Sequence, residues 1–160
     1  MDCTFETKLG KFNYRVGVII TNGRKILMAR NPNEKRECYY SVGGRVNFGE
    51  TMEEAALREI KEETGVDCEI ERLACIHENF FTNEEGIPYH EISCYFIVKS
   101  NEELLRISDG YLTDQGPDGE YVKWIDLDNC NDVLIYPEFF KTGNFITDNE
   151  IKHFITRDRV

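Results

Sequence analysis

Residues 51–65, TMEEAALREIKEETG, constrain their own conformation more tightly than any other stretch of this chain. Thr51 is a good N-cap, and Glu54, three residues on, completes a capping box. Gly65 stands just past the end, where a left-handed residue is wanted. The spacing therefore predicts a helix over 52–64. On a wheel advancing about 100° per residue, Glu59 and Glu63 fall within about 20° of Met52 and Glu62 about 80° to one side. Ala55, Ala56 and Ile60 share that side, and Glu54, Arg58 and Lys61 fall opposite, toward solvent. Glu53 and Glu54 fit an ordinary solvated face. Glu59, Glu62 and Glu63 do not, because they interrupt the apolar side. Partly buried like charges cost several kcal/mol unless neutralised. An arginine or a divalent cation neutralises them. Hard cations such as Mg²⁺ favour carboxylate oxygens and keep waters for substrate phosphates. The small Ala55 and Ala56 leave room beside such an ion.

The loop before this helix, VGGRVNFGE, holds three glycines within seven residues. Such a loop lets backbone approach closely, and where it leads into a helix N-terminus it is a platform for phosphate or metal. Alone the signal is weak; directly before a carboxylate helix it is stronger. Around this unit the pattern is one of strands. Phe12, Tyr14, Val16, Val18 and Ile20 alternate within FNYRVGVIIT, the period of a strand. Asn22-Gly23 signals a hairpin, and KILMAR reads as its return strand. YYSV (39–42), CEIERLACIHENFF (68–81), PYHEISCYFIVKS (88–100) and EYVKWIDLD (120–128) read as further strands, with a turn at TNEEGI. YPEFF opens a short helix with Pro137 in its first turn. Past Gly143 no element is assigned. Strands around one strong helix imply an α+β or mixed α/β sandwich, with helices covering a sheet.

The chain has 160 residues, the size of one domain with one sizeable core. Its net charge is −11 and its longest basic run is Lys35-Arg36, so neither extended nucleic acid nor an anionic membrane is expected as partner. A bridging cation still lets an acidic protein hold an anionic small molecule. No apolar run approaches the roughly 20 residues of a membrane helix, and residues 1–10 lack a signal-peptide pattern, which makes the cytoplasm the expected compartment. The six cysteines form no CxxC pair and read as reduced, mostly buried apolar residues.

Gly44, Glu50, Arg58-Glu59-Ile60, Glu62-Glu63 and Gly65-Val66 stand at the spacing of a known signature over 23 residues. Every defined position of the Nudix box is matched, so the chain resembles the Nudix (MutT-like) pyrophosphohydrolases. Val42 replaces a usual proline before the glycine pair. The resemblance implies an α/β/α sandwich of 1–160 as one domain, with a mixed curved sheet and the loop-helix beside it. It implies Mg²⁺- or Mn²⁺-dependent hydrolysis of a nucleoside diphosphate linked to another moiety, by water attack on phosphorus. It also implies a nucleotide as small-molecule substrate, and dimers are common among relatives.

Carried over by position, Glu59, Glu62, Glu63 and the Gly43 carbonyl would hold the metal. Gly44, Glu50 and Arg58 would support the site. The general base would be Glu59, or a carboxylate of the loop DGYLTDQGPDGEY: Asp114, Asp118 or, favoured for its place beside the Trp124 strand, Glu120. Acidic residues in such a loop are also common turn formers. Base stacking would fall to aromatics among Phe80, Phe81, Tyr89 and Tyr95, of which mid-strand Tyr95 reads as core. Arg45, beside the glycine pair, would touch a phosphate or face solvent. His77-Glu78 and His90-Glu91 read as a polar cross-strand cluster. Residues 81–84, FTNE, carry neither the proline linked with ADP-ribose nor the tyrosine linked with dinucleoside polyphosphates. Elimination leaves nucleoside triphosphates and nucleotide sugars. Two alternatives stay open: ADP-ribose as the substrate class, and a nucleotide-sensing domain that cleaves nothing. Removal of mRNA caps would need a basic RNA path.

Overall fold

A computed structural model of the chain describes residues 1–111 and 120–158. Apolar-rich segments build β2 (Gly10–Ile19), β4 (Lys25–Arg30), β5 (Tyr39–Arg45), β6 (Ile70–Thr82), β7 (Pro88–Val98) and β9 (Tyr121–Asp126). Every strand expected from the sequence is present. Thr21–Asn22 (β3) folds back on β4 through the Gly23 turn, as the hairpin signal predicts. Four strands carry no sequence signal of their own: β1 (Thr4–Thr7), β8 (Gly110–Tyr111), β10 (Ile135–Tyr136) and β11 (Lys152–Arg157). The described strands run in the order β11-β6-β7-β2-β5-β4-β9-β8, with β1 on β2, β10 on β5 and β3 on β4. The sheet is mixed: β2 runs parallel to β7 and antiparallel to β5. Strand β5 joins its two halves, pairing Tyr40 and Ser41 with β4 and Val42–Arg45 with β2.

Helix α1 (Met52–Thr64) lies on one face. Its capping box is formed: Thr51 Oγ1 accepts from the Glu54 N–H, and the Glu54 carboxylate accepts from the Thr51 N–H. Loss of such a cap costs about 0.5–2 kcal/mol. Gly65 closes the helix at φ 76°. Ala55, Ala56 and Ile60, fully buried, pack on Val16, Val18, Val42, Cys94 and Phe96. The opposite face buries Ile19, Ile26, Met28, Tyr95 and Ile97 under Phe140 and Phe145. Those two rings come from a 3-10 turn (Glu138–Thr142) and from α3 (Asn144–Thr147). A strand buried on both faces reads as an apolar run rather than a strict alternation, which is the pattern of KILMAR and VGVII. The result is the expected α/β/α layering. Pro137 caps the 3-10 turn instead of occupying its first turn. A four-residue helix, α2 (Glu102–Leu105), follows β7.

Tyr95 is buried in the core, as its mid-strand position implies. All six cysteines are free; Cys38, Cys75, Cys94 and Cys130 are buried, and Cys3 and Cys68 partly so. Among the described residues no helix is long and apolar enough to cross a membrane.

Candidate functional site

The glycine pair is dictated by close approach on two sides. A Cβ at Gly43, where φ is 148°, would lie 2.2 Å from the Val16 carbonyl oxygen of β2. A Cβ at Gly44 would lie 2.4 Å from Glu59 Oε1. Gly43 thus lets β5 close on β2, and Gly44 leaves the space that the Glu59 carboxylate fills.

Arg58 gathers the site. Its Nε and Nη2 donate to Glu50 Oε1 and Oε2 at 2.7 and 3.0 Å, a bidentate fork. Nη2 also donates to the Arg45 carbonyl at 3.0 Å, and Nη1 to Glu59 Oε1 at 2.7 Å and Glu62 Oε2 at 3.3 Å. Glu50 Oε2 accepts further from the Asn47 N–H at 2.9 Å. One guanidinium therefore ties the glycine loop to the helix carboxylates. The wheel misplaced two side chains. Arg58 is not on the solvent side: it is 27% exposed, because its long stem folds back over the helix toward Glu50. Glu62 is not on the apolar side: it is 58% exposed. Its position at the border of the arc lets it reach water.

Burial sets the electrostatics. It pushes the Glu59 carboxyl up from its ordinary range against the pull of Arg58. It pushes Glu63 up to about 9, helped by the negative charge of Glu120 and opposed by the Gly43 N–H. That N–H donates to Glu63 Oε1 at 3.3 Å, while Glu63 Oε2 is buried without a hydrogen-bond partner. Glu50 is pulled down, chiefly by the Arg58 hydrogen bonds. Glu120, just ahead of β9, lies near enough to Glu63 for its negative charge to bear on that carboxyl. A buried carboxylate oxygen without a donor, beside a second carboxylate, is the partner a hard cation lacks. All-oxygen donors from Glu59, Glu63 and Glu62 suit Mg²⁺ or Mn²⁺. Among the described residues no three such side chains already converge on one point, and Arg58 holds oxygens of both Glu59 and Glu62.

The remaining expected residues fall in several places. Phe81 and Tyr89 stack at 4.9 Å near the tip of the β6–β7 hairpin. Phe80 stacks on His90 at 4.3 Å with the Arg157 guanidinium 3.9 Å above it. The two HE dipeptides split. Glu78 meets His90 at 4.0 Å and His153 at 2.8 Å, whereas His77 is buried and bonds to Thr156. Asp114 and Asp118 lie outside the described residues. Arg45 does reach the site, lining a cleft of about 320 Å³ with Asp2, Arg15, Gly44, Asn47, Arg58 and Glu59. Asp2 and Arg15 have no part in the sequence expectations. Arg15 gave one signal, a cation set in an otherwise apolar run; Asp2 gave none, since its place depends on β1 reaching the box loop.

The family model of the NUDIX domain matches residues 11–146. The chain belongs to the Nudix family. Among curated Nudix relatives, an ADP-ribose pyrophosphatase of Methanocaldococcus jannaschii is 34% identical over 113 residues, covering 71% of this chain and 60% of that protein. A NAD-capped RNA hydrolase of Vibrio atlanticus is 44% identical over 50 residues, 31% of this chain and 19% of that protein. The chain thus spans less than two thirds of either relative. Among solved Nudix folds, the mutator MutT protein of Bacillus halodurans aligns with a TM-score of 0.61 at 16% identity, covering 91% of this chain and 90% of that one. The MutT protein of Methanosarcina mazei Go1 aligns at 0.60 and 20% identity, covering 91% and 99%. These likenesses show the fold.

Proposed function

We propose that this Nudix chain hydrolyses the pyrophosphate linkage of a nucleoside diphosphate joined to another moiety. The observation that carries the reading is the buried, unpartnered Glu63 Oε2 on the same helix as Glu59, whose carboxylate fills the space that Gly44 leaves. Glu59, Glu62, Glu63 and the Gly43 carbonyl are the groups to hold Mg²⁺ or Mn²⁺. When bound, the ion supplies charge neutralisation of the diphosphate and an acidified water. The chain's own residues do the rest. Arg58 and Glu50 fix the loop against the helix, so Glu59 and Glu63 are held where two phosphates would meet. Arg45 presents a guanidinium to a phosphate. Glu59 or Glu120 accepts the proton of the attacking water; Glu120, exposed and beside Glu63, is placed to pass it to solvent. Phe81 and Tyr89 offer a stacked pair of ring faces for a base.

Nucleoside triphosphates and nucleotide sugars are the substrates left by elimination. ADP-ribose has a specific observation in its favour, the archaeal pyrophosphatase that matches 71% of this chain. We further propose one domain over 1–160, a homodimer and a cytoplasmic location; six free thiols suit a reducing compartment. The test is a panel of triphosphates, nucleotide sugars and ADP-ribose with Mg²⁺ and with Mn²⁺, reading phosphate and pyrophosphate release separately. Turnover that disappears in Glu62→Ala and Glu63→Ala is expected. Tight nucleotide binding without cleavage of any panel member would instead make the chain a nucleotide sensor.

A further inference from the structure

The β2–β5 register sets Arg15 directly opposite Arg45. Like charges in that position destabilise a strand pair unless an anion lies between them. Two carboxylates compensate the pair incompletely. Glu91 stands 3.9 Å from Arg15, and its oxygens already accept from Asn13 and Ser93. Among the described residues the Arg15 guanidinium donates no hydrogen bond. Asp2 accepts from Arg45 Nη1 at 3.1 Å. Backbone bonds hold Asp2 there: it bridges to Asn47, the Cys3 N–H donates to the Val46 carbonyl, and the Phe48 N–H donates to the Met1 carbonyl. The Asp2, Arg15 and Arg45 side chains are each about 40% exposed and line the same cleft as Glu59. Arg58, the third guanidinium of that cleft, is fully occupied by Glu50, Glu59, Glu62 and the Arg45 carbonyl.

We propose that Arg15 and Arg45 form a phosphate subsite beside the helix carboxylates, and that Asp2 occupies it as an internal anion until a substrate phosphate displaces it. The chemistry matches. Two guanidinium forks suit the oxygens of a phosphate, which carries more charge and more acceptors than a carboxylate. Displacement needs only rotation of the Asp2 side chain, since its backbone is held independently. A diphosphate with one end at Glu59 and Glu63 then lays its other phosphate between the arginines. Arg15 becomes a specificity-determining residue that favours substrates with a charged phosphate at that end.

The inference rests on the hydrolase reading, and the test separates the two. Binding of inorganic pyrophosphate is measured by calorimetry at low salt with a chelator present, so that neither metal nor turnover contributes. Asp2→Asn is expected to tighten binding about two- to fivefold, the scale of one exposed ion pair. Arg15→Gln is expected to weaken it about tenfold or more, as loss of a charge-assisted bond does. In an Arg45→Gln background, Asp2→Asn is expected to change nothing. Circular dichroism of each variant verifies that it is folded. Absence of pyrophosphate binding in the folded wild type, an unchanged or weaker Asp2→Asn, or an Arg15→Gln that binds like wild type overturns the subsite. A protein that shows these effects but cleaves no nucleotide loses the hydrolase reading alone.

Discussion

Glu63 carries the clearest consequence of burial at the level of one side chain. Its carboxyl is pushed up to about 9 from an ordinary 4.5, first by desolvation and then by the charge of Glu120. A raised carboxyl favours the fold fully below about 4.5, where both folded and unfolded chains are protonated, and loses that advantage as pH climbs toward about 9. The metal-free protein is therefore expected to lose thermal stability as pH rises through this window. Glu63→Gln, which keeps the shape without the proton, should flatten the slope and melt higher than wild type at pH 8. Melting curves in chelator read both. The same variant should lose about a hundredfold or more of nucleotide turnover, because a site residue's stability and its function oppose each other. A variant whose melting still declines with pH as wild type does would place the titration elsewhere.

Among the elements, β11 is tied to β6 by a buried residue, His77, whose Nε2 lies 2.9 Å from Thr156 Oγ1. Desolvation lowers His77 from 6.5 to about 4. A depressed histidine contributes its stability above about 6.5 and loses it as pH falls toward about 4, since the unfolded chain takes the proton first. His77→Gln retains a hydrogen-bonding group without titrating, so it should weaken the acid sensitivity of denaturant unfolding between those values. No change in that sensitivity would mean β11 is not held through His77. This strand also shows where sequence reading stops. KHFITR is mostly exposed, pairs parallel with β6 across a long chain separation, and so leaves little apolar periodicity to detect. The central strands were legible because VGVII and KILMAR are buried on both faces. α1 was legible to the residue because its caps are local. Glu59 and Glu63 were legible because they interrupt an apolar arc. Arg58 and Glu62 were misplaced because a wheel gives Cβ directions, not the reach of long side chains. Glu120 beside Glu63, and Asp2 on Arg45, join distant parts of the chain, which no local pattern encodes.

The whole molecule carries a net charge of −11, and this bears on which diphosphate it meets. The relatives similar to this chain include NAD-capped RNA hydrolases, over 31% of this chain in one case and 70% in another. Holding an RNA tail takes cations along a path, and each neutralised phosphate of a single strand contributes about −0.7 to the slope of log affinity against log salt. The cations lining the cleft are already assigned within it: Arg58 holds three carboxylates, and Arg15 and Arg45 make up the phosphate subsite proposed above. None is left to follow a strand outward from the cleft. A free dinucleotide and a short RNA bearing the same dinucleotide as its cap should therefore show similar kcat/KM in Mg²⁺. Raising salt from about 50 to about 200 mM should lower both equally, since the cleft contacts are common to both. A capped RNA favoured tenfold, with a slope steeper by about −2, would reveal a basic path that the charge balance argues against. Equal slopes would leave recognition to the cleft alone.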